Sequence, residues 1–372
     1  MPEAQLLKYP RKRIIRGIYR FLGKTILPLA FRIKVEGQDN FPAEGPLIVV
    51  GNHIAVMEAV FMAIFTPWQV ETLGAADIPH EKITAFFANS FGHIPVNRGH
   101  MDRQALRQAI NILNQKGIIG MFPEGGIWEP GAMRAQTGVS WISYRANAPV
   151  LPIGFGGTLG ALSNAIKLKR PRISIHVGEL IPPAHISPGK NRKTYFQNYA
   201  SKVMDAVNAL LPPDNPTHTS GFTNESFELK VTIYDQKGEI QACPTSLLIQ
   251  HDLALAKVLH RPTILKIFRK NLQLPMKAIQ NLDKEHPPRT IVESVQSILD
   301  YIDKENPFLL TYRFGPKEGE AMVAGFREML AMAQWADLNA YRLEIEPIRR
   351  FYSIELEKEV IQKKQGRFEG WM

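Results

Sequence analysis

From residue 33 to about residue 212, short apolar runs alternate with stretches of helical periodicity, and few architectures accept that pattern. The strand-like runs are Phe31–Val35, Leu47–Val50, Ile118–Phe122, Val150–Phe155 and Ile173–Val177. Helical spacing appears at Glu58–Phe65, Asp102–Asn114, Val139–Ala146 and Asn191–Leu211. Runs that are apolar throughout belong to strands buried on both faces. The alternation therefore predicts an α/β fold with helices on both faces of one sheet.

The stretch from Leu211 to Gly221 carries three prolines and a set of small polar residues, which stop a helix and suit a linker. Beyond it, Phe227–Tyr234 and Glu239–Cys243 flank Asp235-Gln236-Lys237-Gly238, a hairpin signal. Residues 246–365 read as mostly helical. The expected organisation is an N-terminal segment over 1–34, a central domain over 35–211, a linker over 212–221 and an α-rich C-terminal domain over 222–372. The sequence assigns that last domain no function.

Residues 10–32 read as an amphipathic helix or helix pair. Ile14, Ile18, Phe21, Leu22 and Ile26 recur at helical spacing, with Arg11, Lys12, Arg13, Arg16, Arg20 and Lys24 around them. Cations beside an apolar stripe suit an anionic membrane surface; a helix packed on its own core with a solvated basic face is the plainer alternative. The whole chain is basic, with 45 Lys+Arg against 35 Asp+Glu. That balance favours anionic partners without choosing among lipid, nucleotide and nucleic acid. No apolar run reaches the roughly 20 residues needed to span a bilayer. The single cysteine, Cys243, excludes an internal disulfide and fits a reducing compartment. The expected location is cytoplasmic and peripheral to a membrane.

Four short blocks carry the chemistry: Gly51-Asn52-His53-Ile54-Ala55-Val56-Met57-Glu58, Gly92-His93-Ile94-Pro95-Val96-Asn97-Arg98-Gly99, Phe122-Pro123-Glu124-Gly125-Gly126, and Val150-Leu151-Pro152-Ile153-Gly154. Of ten histidines, only His53 has an acid five positions on. In this order, over roughly residues 30–212, the blocks resemble the glycerolipid acyltransferase family, whose best-known members acylate lysophosphatidic acid. That resemblance implies a mixed sheet, a fatty acyl group moved from an acyl thioester to a lipid hydroxyl, and a place in phospholipid biosynthesis. It implies His53 and Glu58 as the catalytic pair, with Arg98, Glu124 and Gly125 binding the acceptor. It implies no cofactor and no metal, with acyl-CoA or acyl carrier protein as donor substrate.

The residue types suit that chemistry independently. A hydroxyl needs a base to take its proton during attack on a thioester, and histidine does so near neutral pH. A carboxylate fixes the histidine tautomer and stabilises the imidazolium. On a continuous helix, positions five apart point about 140° apart. His53 is therefore expected just before a helix and Glu58 within its first turns, with Asn52 as the cap. Arg98 offers a fork of donors to phosphate, and glycine at 125 lets backbone approach a ligand. The plainer readings are a buried structural histidine, a helix N-terminal acid, a solvated loop arginine and a tight turn.

Two departures stand out. The family usually has Asp where Glu58 stands, and often continues its Phe-Pro-Glu-Gly with Thr-Arg-Ser, where this chain has Gly126, Ile127 and Trp128. Arg134 is the nearest replacement for the missing arginine. These departures motivate an alternative, a lipid- or acyl-thioester-binding protein on the same fold without catalysis. Nucleic-acid binding rests on net charge alone, with no aromatic-basic interleaving. The run Gly154–Gly160 misses the spacing of a dinucleotide loop, and no serine elbow, Walker loop or His-Glu-x-x-His site is present.

Overall fold

The computed structural model describes residues 6–76, 82–99, 101–126, 135–186, 191–212, 222–272, 288–353 and 358–363. Its chain divides into two compact units, residues 1–218 and 219–372. The stretch expected as a linker lies, apart from Pro212, outside the described residues, as do Ile127, Trp128 and Arg134.

The first unit is built on a seven-stranded sheet in the order β1-β7-β6-β2-β5-β3-β4. The strands are β1 (Arg32–Glu36), β2 (Leu47–Gly51), β3 (Val70–Ala75), β4 (Ile94–Val96), β5 (Ile118–Met121), β6 (Val150–Gly156) and β7 (Arg172–Val177). β6, β2, β5, β3 and β4 run one way, while β7 is antiparallel to β6 and β1 is parallel to β7. The sheet is therefore mixed.

β2 sits at its centre because Leu47, Ile48, Val49 and Val50 leave no apolar atom for water on either side. Leu47 and Val49 join a core with helices α1 (Arg13–Ala30), α2 (Met57–Phe65) and α6 (Ala161–Ile166). Ile48 and Val50 join another with α4 (Arg103–Asn114), α5 (Gly138–Ala146) and α7 (Arg192–Asn208). This is the period of two of a strand feeding two layers. Each such side chain contributes about 1.5–3 kcal/mol of burial energy. A further helix, α3 (Lys82–Phe91), precedes β4.

β3 and β4 are absent from the sequence reading, and the reason is local. β3 is Val-Glu-Thr-Leu-Gly-Ala, with a glutamate and a glycine inside it, and β4 has only three residues. Glu71 is tolerated there because Arg16 of α1 reaches it. Arg16 and Glu71 are both fully buried, joined by Arg16 Nη1 to Glu71 Oε1 at 2.5 Å and Nη2 to Oε2 at 2.9 Å. Arg11 Nε adds a third bond to Glu71 Oε2 at 2.9 Å.

That pairing overturns the plainer alternative for α1, in which the helix packs on the core by its apolar stripe with a solvated basic face; α1 is a single helix. Arg16 Nε and Nη2 also donate to the carbonyls of Phe91 and Gly92, Arg20 donates to the carbonyls of Thr66 and Trp68, and Lys12 to that of Asn89. Arg11, Arg16 and Arg20 face inward and fasten the helix, while Lys12, Arg13 and Lys24 are exposed. The apolar stripe faces out instead: Ile14 is 79% exposed, Phe21 72% and Leu29 70%. No helix among the described residues is long and apolar enough to cross a membrane.

The second unit holds a three-stranded antiparallel sheet, β8 (Phe222–Tyr234), β9 (Arg342–Ser353) and β10 (Lys358–Lys363), in the order β10-β9-β8. Its described residues also form α8 (Asp252–Leu259), α9 (Pro262–Leu272), α10 (Pro288–Lys304), α11 (Leu309–Phe314) and α12 (Pro316–Leu338). The turn read at Asp235–Gly238 forms, with Asp235 N donating to Glu239 O. The strand expected after it shrinks to one bridge, Tyr234 with Ile240. β8 takes β9 as its partner because alternate residues of β9, Leu343 and Ile345 among them, bury into the core with Ile233, which Glu239–Cys243 cannot match. Residues 246–365 thus contain two strands as well as helices. Glu225 on β8 is gripped by Arg261 and Arg349 at 2.7 and 2.5 Å, an ion-pair cluster that fastens α8–α9 to the sheet.

Candidate active site

His53, Arg98, Glu124 and Gly125 follow the carboxyl ends of β2, β4 and β5, with Glu58 in the first turn of the helix after β2, the usual location of ligand sites in open α/β sheets. Register brings them together. Val50 of β2 pairs with Met121 of β5, so His53 and Glu124, each three residues further on, emerge side by side. His53 N donates to Glu124 Oε2 at 3.0 Å, and the His53 ring stacks on Phe122 with centroids 4.2 Å apart.

Asn52 is a correction to the sequence reading. It does not cap α2. Its side chain is buried and clamps β6, donating from Nδ2 to Phe155 O at 2.9 Å and accepting from Phe155 N at 2.8 Å. A two-way amide bond to one backbone residue fixes where β2 ends. The chain then turns, and α2 begins at Met57 with no side-chain cap on Val56. Glu58 takes over that work: both its carboxylate oxygens accept from Ala55 N at 3.0 Å. A negative group there also suits the helix N-terminus.

Glu58 is completely buried. A buried carboxylate is tolerated only when its lone pairs are used. Oε1 accepts the Thr158 hydroxyl at 2.5 Å, and Oε2 faces His53 Nδ1 at 3.4 Å. A carboxylate only accepts, so Nδ1 carries the proton in this arrangement and the lone pair of neutral His53 sits on Nε2. The His53 side chain keeps 19% of its surface accessible while Glu58 keeps none. An accessible imidazole backed by a sealed carboxylate is an arrangement that can take a proton from a bound hydroxyl.

Glu124 is also buried, and burial, opposed by the His53 N–H bond and reinforced by the charge of Glu58, pushes its pKa up to about 8. Near neutral pH this side chain is largely a neutral acid. It can then donate a hydrogen bond as well as accept one.

Arg98 follows β4 and donates from Nη1 to Gly125 O at 2.9 Å, so the second and third blocks meet at the site. Two features hold it there. Asp102 caps α4 by accepting from Gln104 N and Ala105 N, and also accepts from Asn97 N at 2.9 Å and Asn97 Nδ2 at 3.1 Å. Burial would raise the Asp102 pKa, but these bonds hold it below the usual carboxylate range. Gly126 adopts φ 149°, and a Cβ there would lie 2.4 Å from Arg98 Nη1. The glycine gives the guanidinium its place.

Thr158 is the site residue the sequence reading missed. It follows β6, whose carboxyl end adjoins β2, so the available signal was the strand end itself. The glycine run around it draws attention only to a dinucleotide loop, whose spacing it misses. Among the described residues no group of three or more His, Cys, Asp or Glu could hold a metal ion.

Residues 32–156 match the family model described as Acyltransferase. The chain is 22% identical over 181 residues to the 1-acyl-sn-glycerol-3-phosphate acyltransferase of Bacillus subtilis (strain 168), a match covering 47% of this chain and 89% of that protein. The crystal structure of the 1-acyl-sn-glycerophosphate (LPA) acyltransferase PlsC from Thermotoga maritima aligns at 19% identity and a TM-score of 0.39, covering 55% of this chain and 83% of that one. The matched segment contains β1 through β6 and the His53, Glu58, Arg98 and Glu124 constellation, and over it this chain is similar to the acyltransferase family.

Proposed function

We propose that this chain transfers a fatty acyl group from an acyl thioester to a hydroxyl of a lysophospholipid or related glycerolipid. The observation that carries the reading is the pairing of His53 Nδ1 with the sealed carboxylate of Glu58 at 3.4 Å. His53 Nε2 takes the acceptor proton as the hydroxyl oxygen attacks the thioester carbonyl. Glu58 stabilises the imidazolium that results. The tetrahedral intermediate collapses, the carbon–sulfur bond breaks, and the imidazolium returns its proton to the leaving thiolate. Transfer is direct, from acyl-CoA or acyl carrier protein, with no acyl-enzyme.

Arg98, Glu124 and Gly125 receive the acceptor headgroup. The guanidinium supplies paired donors to a phosphate, and Glu124 in its neutral form donates to a phosphate or glycerol oxygen. The outward apolar stripe of α1 seats the domain on the membrane that holds the acceptor. Cations fasten this helix from inside, which leaves its greasy face for lipid.

The test is transfer of radiolabelled palmitoyl-CoA to a panel of lysophospholipids, lysoglycolipids and glycerol phosphate on liposomes, repeated with acyl carrier protein as donor. A labelled lipid product that disappears in His53→Ala supports the reading. Absence of product with every donor and acceptor would shift the assignment to lipid binding without catalysis.

A further inference from the structure

The turn between β6 and β7 presents apolar side chains to solvent in a way that its own packing does not explain. α6 buries Ala161 and Ala165 in the core shared with Leu27 and Ala30 of α1. Its larger residues point away: Leu159 and Leu162 are exposed, Ile166 is 74% exposed and Leu168 is 87% exposed. Leu168 is also held at φ 58°, the left-handed region that costs a non-glycine residue energy. A strained leucine with almost no burial gains nothing from the folded chain alone.

Charge accompanies the apolar surface. Lys167, Lys169, Arg170 and Arg172 are exposed, and residues 157–172 contain no Asp or Glu. Arg172 pairs in register with Arg32 of the neighbouring β1, and both are exposed. Adjacent like charges on paired strands repel unless an anion lies against them.

The turn is joined to the end of α1. Arg170 Nη2 donates to Pro28 O at 2.9 Å, and Arg32 N donates to Pro171 O at 2.9 Å. The exposed Ile26 and Leu29 of α1 therefore adjoin the exposed residues of the turn. Apolar side chains interleaved with cations and free of acids match the interface of an anionic bilayer.

We propose that the Leu159–Arg172 turn is a second membrane-contacting element that binds anionic phospholipid beside α1. The proposal deepens the reading given above, in which the domain meets a lipid acceptor at a membrane, and rests on that reading. It also gives the seat a covalent route to the active site, because Thr158, the partner of Glu58, immediately precedes the turn.

The experiment is flotation of the full chain with phosphatidylcholine vesicles, with and without phosphatidylglycerol. Ile166→Ser with Leu168→Ser is expected to lower partitioning on the order of tenfold. Lys167→Glu with Lys169→Glu is expected to weaken binding by at least roughly tenfold on vesicles containing phosphatidylglycerol and little on phosphatidylcholine alone. Unchanged melting temperatures establish that both variants fold. Wild-type binding by both variants overturns the proposal. So does a lipid-free dimer in sedimentation velocity that the serine variant dissolves, because the face then meets a second copy. Phe21→Ser reports separately on α1: if it binds normally while the turn variants do not, the α1 seat fails and the turn stands. His53→Ala should bind as wild type, which keeps catalysis out of the readout.

Discussion

Thr158 donates its hydroxyl to Glu58 Oε1 across 2.5 Å, joining the turn after β6 to the first turn of α2 over a separation of 100 residues. With Ala55 N and His53 Nδ1 it completes the set of donors around a carboxylate that sees no solvent. The bond bears directly on the departure from the family pattern at position 58. A glutamate has one more rotatable bond than an aspartate, and Thr158 holds one oxygen of the longer side chain while the other faces His53.

Thr158→Val removes the donor and keeps the shape. Glu58 is then free to turn from His53, and the expected outcome is a ten- to hundredfold fall in kcat, on the order of what a misplacement near 1 Å costs. KM for the acceptor should move little, because Thr158 is buried and bonded to Glu58. Thr158→Ser, which restores the hydroxyl, should recover most of the rate. Steady-state kinetics on the three proteins checks this, and equal kcat values would remove Thr158 from the mechanism.

Glu124 makes the stability of the first unit pH-dependent. Its folded pKa is raised to about 8 from an ordinary value of 4.5. The folded state therefore holds a proton that the unfolded state releases. The stability linked to this proton is fully present below about pH 4.5 and is lost progressively as pH rises to about 8. Glu124→Gln mimics the neutral acid and should flatten that part of the profile, a difference on the order of a few kcal/mol at the alkaline end. Urea unfolding from pH 5 to 9 measures it, and parallel profiles for both proteins would contradict the assignment.

Much of this site was readable from the chain, for a physical reason. Parallel strands bring their carboxyl ends together, so blocks that each follow an apolar run meet whatever their separation in sequence. His53, Glu58, Arg98 and Glu124 are visible through the four blocks that resemble the acyltransferase family, and the strand ends explain why those blocks meet. Thr158 is not, because a single hydroxyl among glycines has many uses and its partner lies far away in sequence. The sequence leaves the orientation of α1 open between lipid and the protein's own core. Periodicity separates an apolar face from a basic one, and the usual rule turns the apolar face inward. Glu71 breaks the rule here: a carboxylate inside β3 demands cations, and Arg11 and Arg16 supply them. Glu239–Cys243 failed as a strand because hairpin signals are local while β8 is paired by a strand more than a hundred residues on.

Gly126 offers a test of the acceptor site that leaves the catalytic pair alone. In Gly126→Ala the new methyl would lie 2.4 Å from Arg98 Nη1, the mobile end of that side chain, and φ 149° is unfavourable for alanine. Arg98 should be displaced from Gly125 O. The acceptor KM is expected to rise roughly tenfold for a phosphate-bearing acceptor, the value of one charge-assisted hydrogen bond. An acceptor lacking phosphate should show a smaller change. Equal effects on both acceptors would mean that Arg98 does not read the phosphate.

The Arg16–Glu71 pair sets how α1 is held. Both groups are fully buried, so removing Arg16 leaves the Glu71 carboxylate out of solvent with Arg11 as its remaining cation. Such a break typically costs about 3–5 kcal/mol, whereas replacing both by apolar residues of similar volume is often neutral. Arg16→Met alone should lower the melting temperature and loosen α1, because the same guanidinium also holds the carbonyls of Phe91 and Gly92. Arg16→Met combined with Glu71→Leu should recover much of the lost stability. If α1 is the membrane seat, the single variant should also bind vesicles less tightly even at temperatures where the sheet remains folded, since a detached helix no longer carries the domain with it. Circular dichroism melts and flotation on the three proteins separate the two effects. A single variant with wild-type melting would show that the pair contributes nothing, and α1 would then have to be held by Arg20 and Lys12.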